Sequence, residues 1–127
     1  MSENEIANKV IGLAIEVHRI LGPGLLEKTY QECLFYKINQ SGLWIEKEKS
    51  VPLIFEGLKL DQGYRIDLLI EGKLVVELKC IETFHEIHIA QVLTYLKFGQ
   101  FKLGLLMNFN VVRMKDGIRR VINGSLE

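Results

Sequence analysis

Tyr64-Arg65-Ile66-Asp67-Leu68-Leu69-Ile70-Glu71-Gly72-Lys73-Leu74-Val75-Val76-Glu77-Leu78-Lys79-Cys80 decides how this chain folds. Two runs rich in Ile, Leu and Val read as strands, joined at Gly72. Charge interrupts each of them: Asp67 in the first, Glu77 and Lys79 in the second. An unpaired charge inside an apolar strand is costly to bury, so these side chains need partners or a metal. Glu77 and Lys79 are two residues apart and share one face of their strand. Whether Asp67 joins them depends on the turn. A two-residue loop at Glu71-Gly72 sets Asp67 opposite Val76, across the sheet from Glu77. A three-residue loop, Glu71-Gly72-Lys73, pairs Asp67 with Glu77, and a bulge has the same effect. One of these two devices is expected, and Gly72 suits the left-handed position that three-residue loops usually contain.

Outward from this hairpin the pattern alternates between periods. Ile6, Val10, Leu13, Val17 and Leu21 recur at steps of three or four, which is one helical stripe. Ser2 and Glu5 form a capping box at its start, and Gly22-Pro23-Gly24 ends it. A second helix is expected over about 25–40, with Leu26, Tyr30, Cys33, Leu34 and Ile38 inward and Ser41-Gly42 as its stop. Residues 44–55 read as a strand, with Pro52 marking an edge or a bend. Beyond the hairpin, Thr83 with Glu86 reads as a capping box opening a helix to about Phe98, its apolar face being Ile89, Val92, Leu93 and Leu96. Strands are expected over 102–109, 111–114 and 118–122, the last turned by Asp116-Gly117. The order is helix, helix, strands, helix, strands, with no linker, repeat or low-complexity segment. It predicts an α/β fold in one domain over 1–127.

Bulk properties narrow the function. A chain of 127 residues that is 48% hydrophobic can bury a real core without a metal or disulfide to hold it. Cys33 and Cys80 lack metal-type spacing and read as buried thiols. Residues 1–9 carry no signal-peptide pattern, and no apolar run approaches a membrane span, so a reducing, cytoplasmic setting without a membrane is expected. Sixteen basic and sixteen acidic residues give zero net charge, which argues against holding nucleic acid by bulk electrostatics. The C-terminal part is basic all the same: Lys97, Lys102, Arg113, Lys115, Arg119 and Arg120 face only Asp116 up to residue 124. The tract reads as a solvated surface, or as a phosphate-facing rim if an anionic substrate is argued independently. Ile11 and Ile15 lie off the first helix's stripe, which implies either a second face buried within the chain or a homodimer interface.

The charged strands carry the chemistry. Two neighbouring carboxylates repel, and one normally holds a proton unless a divalent cation removes the conflict. Hard oxygen ligands suit Mg²⁺ or Mn²⁺, which can polarise a phosphoryl oxygen and supply a nucleophilic water. Lys79 can orient that water or stabilise charge growing on the phosphate. The competing reading is an ion pair of Lys79 with one carboxylate. Glu27 opens the second helix three residues before Tyr30, on the face turned to the core. Gln91 and Tyr95 stack on one side of the third helix, and His88 shares their polar stripe.

The motifs fall in a specific order. Gly24-Leu25-Leu26-Glu27-Lys28-Thr29-Tyr30 fits Gly-x-x-Glu-x-x-Tyr; Asp67, Glu77-Leu78-Lys79, Gln91-x-x-x-Tyr95 and Gly104-Leu105-Leu106-Met107-Asn108-Phe109 follow. The chain resembles the GxxExxY protein family, placed in the PD-(D/E)XK nuclease superfamily, over about 6–122. The resemblance implies a restriction-endonuclease-like core, with a central mixed sheet flanked by helices. It implies that Asp67 and Glu77 bind metal and that Lys79 is the catalytic lysine. Glu27 matches the acidic residue that the first core helix contributes, and Gln91 with Tyr95 matches a helix motif lying beside the active site and the nucleic acid. Tyr30 and His88 complete the expected substrate-facing set. The expected function is a Mg²⁺- or Mn²⁺-dependent nuclease acting on DNA or RNA. The alternative is a catalytically silent nucleic-acid-binding or protein-interaction module with the same fold.

Overall fold

In the computed structural model, which describes residues 1–126, the chain begins with helix α1 (Glu3–Leu21). The Ser2/Glu5 capping box satisfies its first orphan amides, and the cap at Gly22 has φ +71°, a conformation glycine adopts at little cost. Helix α2 (Glu27–Gln40) follows, then strands β1 (Ile45–Phe55), β2 (Leu58–Ile70) and β3 (Leu74–Lys79). Helix α3 (Glu86–Gly99) leads to β4 (Leu103–Asn108), a 3₁₀ turn (Met114–Gly117) and β5 (Ile118–Ile122).

The five strands form one sheet in the order β1-β2-β3-β4-β5. Only β3 and β4 run parallel, with α3 as their crossover; the other pairs are antiparallel. Helices α1 and α2 cover one face through Ile6, Val10, Val17, Tyr30, Leu34 and Ile38, against Leu68, Val76, Leu78 and Leu105 of the sheet. Helix α3 covers the other through Val92 and Leu96, against Leu69, Val75 and Leu106. This is an α/β fold with a mixed sheet flanked by helices, as expected. No helix among the described residues is long and apolar enough to cross a membrane.

Several local expectations are corrected. Helix α2 starts at Glu27, and Leu26, expected inward, is 76% exposed because it stands outside the first turn as N-cap. Helix α3 is opened by His85 and not by a Thr83/Glu86 box: the His85 amide donates to His88 Nδ1 at 3.0 Å. Ile89, expected inward, is largely exposed. Residues 111–114 form no strand. Their backbone is used otherwise: the Val111 carbonyl bonds His18 Nε2 at 2.8 Å, and Met114 is buried. Cys33 and Cys80 are free and half-buried, not fully enclosed. On the second face of α1, Ile11 is partly buried against the core within the chain, while Ile15 stays exposed. Pro52 sits, as expected, on an edge strand at a register shift between Val51 and Leu53.

Gly104 sets how closely α3 approaches the sheet. A Cβ there would meet Val92 Cγ1 at 2.8 Å and Leu96 Cδ2 at 3.3 Å. Gly104→Val is therefore expected to overpack this contact and cost roughly 1–3 kcal/mol. A lower urea midpoint at unchanged m-value checks it; an unchanged midpoint would show that α3 yields without cost.

Candidate active site

The β2–β3 ladder pairs Ile70 with Leu74, Leu69 with Val75 and Leu68 with Val76. The loop is therefore the three-residue Glu71-Gly72-Lys73, with Glu71 at φ +55° and Gly72 at φ +64°, and the Lys73 amide donates to the Ile70 carbonyl at 3.0 Å. This register puts Asp67 level with Glu77, the pairing that the loop reading required. There the backbone ladder stops and side chains replace it. The Asp67 amide donates to Glu77 Oε2 at 2.7 Å, and the Leu78 amide donates to Asp67 Oδ2 at 2.9 Å. Each carboxylate thus satisfies a backbone donor freed where the strands part.

On its other side β2 is equally irregular. Lys47 pairs with Leu68 and Lys49 with Ile66, while Glu48, opposite Asp67, stands at φ +52°. Across this point β2 changes faces: Ile66 packs on the α3 side and Leu68 on the α1/α2 side. Asp67 sits where the pleat inverts. Sequence reasoning missed Glu48, since a lone Glu in an exposed strand carries no signal. Its carboxylate is held by Lys28 at 2.9 Å and Arg65 at 3.3 Å. Lys28 is next to Glu27, so this pair ties the start of α2 to β1 opposite Asp67.

Four groups share one electrostatic environment. Glu77 is only 5% exposed, and burial first, then the negative charge of Asp67, pushes its carboxyl up to about 8. Burial also raises Asp67, against the hydrogen bond from Leu78 and the charge of Lys79. Glu27 is raised by partial burial and by Asp67, with Lys79 opposing. Glu27, expected on the face turned to the core, stands exposed at the start of α2, yet it feels the charge of Asp67, 40 residues away along the chain. Lys79 influences all three carboxyls, yet among the described residues it forms no ion pair within 4 Å. The ion-pair alternative for Lys79 is thus not the arrangement found.

The remaining sequence candidates divide. Tyr95 stacks on Tyr64 with ring centroids 4.4 Å apart, and the Tyr64 hydroxyl donates to the Tyr95 carbonyl at 2.7 Å. Burial raises the Tyr95 hydroxyl, and so do the charges of Glu77 and Asp67, which marks it as their neighbour. Gln91 is exposed one turn earlier. His88 is half-buried, and its Nδ1 is committed to the α3 cap. Tyr30 corrects the expectation of a substrate contact: it is 0% exposed, stacks on Phe109 at 4.6 Å, and its hydroxyl bonds the Gly22 carbonyl and the Leu25 amide. It holds the loop ahead of Glu27.

A model of the PD-(D/E)XK nuclease superfamily matches residues 4–121. The chain belongs to this superfamily. Neither a comparison with curated proteins nor one with solved structures gives a match. The mixed sheet with helices on both faces is the PD-(D/E)XK fold, and the superfamily's nucleases generally depend on divalent metal.

Among the described residues no three His, Cys, Asp or Glu side chains gather into a ready cage. Mg²⁺ does not ask for one, because it is usually bound by one or two carboxylates and keeps several waters. Asp67 and Glu77 each spend one oxygen on a backbone amide and retain further lone pairs. Two hard carboxylates with no cation in contact fit a hard divalent ion.

Two further residues were given no role from the sequence, although Asn108 stands in the 104–109 motif. Asn108, 2% exposed and level with Lys79 in the parallel ladder, bonds both the amide and the carbonyl of Ile81 and accepts from the Asn110 amide. It fixes the exit of β3; its only signal was a polar residue ending an apolar strand. Gln31, 6% exposed and one turn from Glu27, has an amide nitrogen without a partner.

Because the folded state raises Glu77 from its ordinary 4.5 to about 8, it keeps a proton that the unfolded chain releases. That contribution is fully present below about pH 4.5 and is lost as pH rises towards about 8. In chelator, urea stability is therefore expected to fall across this window, and Glu77→Gln should flatten the fall. An equally steep decline in the variant would assign the pH dependence elsewhere.

Proposed function

We propose that this chain is a divalent-metal-dependent nuclease that hydrolyses phosphodiester bonds in DNA or RNA, with residues 1–127 acting as one domain. The observation that carries this reading is the Asp67–Glu77 pair at the parting of β2 and β3, with Lys79 beside it and free of ion pairs. The ordered motifs around the site support membership of the GxxExxY family within the superfamily. Free Cys33 and Cys80 suit a reducing cytoplasmic setting.

In this reading Asp67 and Glu77 hold Mg²⁺ or Mn²⁺, with Glu27 within reach for a shared or second ion. A bound ion would polarise a phosphoryl oxygen and lower the pKa of a water that attacks phosphorus. Glu77 must give up its proton as the ion binds, which couples affinity to pH. Lys79 directs its ammonium to the attacking water or to the charge that grows on the phosphate. Gln91, exposed on α3, and Tyr95, held by Tyr64, flank the strand being cut. His88 is retained as an outer contact at the start of α3. Arg119 stands across the sheet from Glu77 on the same face, since both are level with Leu106, and is placed to meet the backbone.

The second reading is a non-cleaving module with this fold; the lack of a three-ligand cage and the zero net charge favour it. Labelled single- and double-stranded DNA and RNA, incubated with Mg²⁺ or Mn²⁺, distinguish the two. The native chain is expected to cut at least one substrate, and Lys79→Ala to lose at least about 100-fold in rate with the fold intact. Undiminished cutting by Lys79→Ala would remove the assignment. No cutting, with metal binding intact, would establish the second reading. By calorimetry Asp67→Asn should weaken Mn²⁺ binding by about tenfold or more; unchanged affinity would move the metal elsewhere.

A further inference from the structure

The cations of this chain fall into two groups. Lys28, Lys37, Lys47, Lys49, Lys59 and Arg65 each have an acidic partner within 4 Å. The other ten of the sixteen have none among the described residues, and four of these, Arg19, Arg113, Lys115 and Arg120, line one groove. The groove lies between α1 and the end of the chain that carries the 3₁₀ turn and β5, the outer strand of the sheet. It consists of two adjoining cavities of about 380 and 320 Å³ that share Ile15 and Lys115. No carboxylate lines either cavity. A neutral group holds one of the cations in place: Arg120 bonds the Asn4 amide oxygen. Arg119 borders the groove at its base, but its guanidinium bonds the carbonyls of Asp116 and Ile118 and lies over the Phe84 ring on the α3 side.

Beneath these cations the floor is aliphatic: Ile11, Ile15 and Ile118, with Val112, 90% exposed, at one lip. An apolar trough walled by unpaired positive charge needs an occupant with both characters. We propose that this groove docks an acidic, amphipathic segment of a partner protein. Its apolar side chains would cover the isoleucines, and its carboxylates would meet the guanidinium groups, which pair with them bidentately. A nucleic acid fits less well. Single strands are held by stacking on aromatic rings, and no Phe, Tyr or Trp lines the groove. A phosphate backbone would leave the aliphatic floor uncovered. The groove also opens on the α1 side of the sheet, whereas Glu77 and Tyr95 work on the α3 side. The basic tract that the sequence offered as one phosphate-facing rim is thus divided: Arg113, Lys115 and Arg120 turn to this groove, and Arg119 to the α3 side.

The test uses the full chain in chelator, so its outcome does not depend on whether the chain cleaves nucleic acid. The probes are a labelled amphipathic peptide of about 16 residues, with leucines at helical spacing and glutamates elsewhere, and a scrambled peptide of the same composition. Labelled single- and double-stranded oligonucleotides are measured beside them by fluorescence anisotropy. The amphipathic peptide should bind saturably and the scrambled one at least about fivefold more weakly. Arg19→Glu with Lys115→Glu should weaken peptide binding by about tenfold or more, and Ile15→Ser by a smaller factor. Both variants alter exposed side chains, and unchanged urea midpoints would show that they fold. No saturable peptide binding, or equal binding of the scrambled peptide, overturns the proposal. Oligonucleotide binding lost in the charge-reversed variant would also overturn it, by assigning the groove to nucleic acid.

Discussion

Where β2 and β3 part, two carboxylates replace two backbone bonds, and the rest of the site depends on that exchange. A sheet that continued past Leu68 and Val76 would pair the Asp67 and Leu78 amides with main-chain carbonyls. Instead Glu77 accepts the first and Asp67 accepts the second. Two acidic side chains are thereby locked together at the end of a central strand, where neither alone is favourable. The geometry is over-determined: the three-residue loop sets the register, and the inverted pleat at Glu48 and Asp67 gives room for the exchange.

The electrostatic consequence follows from the same contact. Burial disfavours charge on Glu77, and Asp67 beside it disfavours charge further, so the pair keeps a proton on Glu77 up to about pH 8. Lys79 does not neutralise the pair by contact, because its ammonium forms no short ion pair with either carboxylate. A lysine kept near a carboxylate pair, without being neutralised by it, remains able to act on a third group. The Lys28–Glu48–Arg65 network plays another part: it pairs Glu48, whose charge still acts on Asp67, and links the first turn of α2 to β1.

The two faces of the sheet thus serve different purposes. The α3 face presents Glu77, with Tyr95 and Gln91 above it and Arg119 two strands away. The α1 side presents an aliphatic trough with unpaired cations. Zero net charge conceals this separation, because the balance is global while the pairing is local. A chain with little overall attraction for polyanions can still hold an acidic surface where four cations converge.

By itself the sequence determined the periodic elements and narrowed the decisive register to a three-residue loop or a bulge. Stripes of three and four residues marked α1, α2 and α3; Ser2, Glu5 and Gly22 bounded the first; and Gly72 suited the loop that the structure then shows. These are local properties, set by helical and strand periods and by turn geometry. Helix starts were less legible at α2 and α3, because Leu26 and His85 cap them without the expected side chains. Only the tertiary structure decided which distant groups meet: Asp67 with Leu78, Glu48 with Lys28, Tyr64 with Tyr95, Asn108 with the exit of β3. It also decided that Tyr30 is spent on the loop before Glu27, and that the basic tract is divided between the two sides of the sheet. Such contacts join residues well separated along the chain. Their geometry is fixed by how helices settle on a twisted sheet, which no local period encodes.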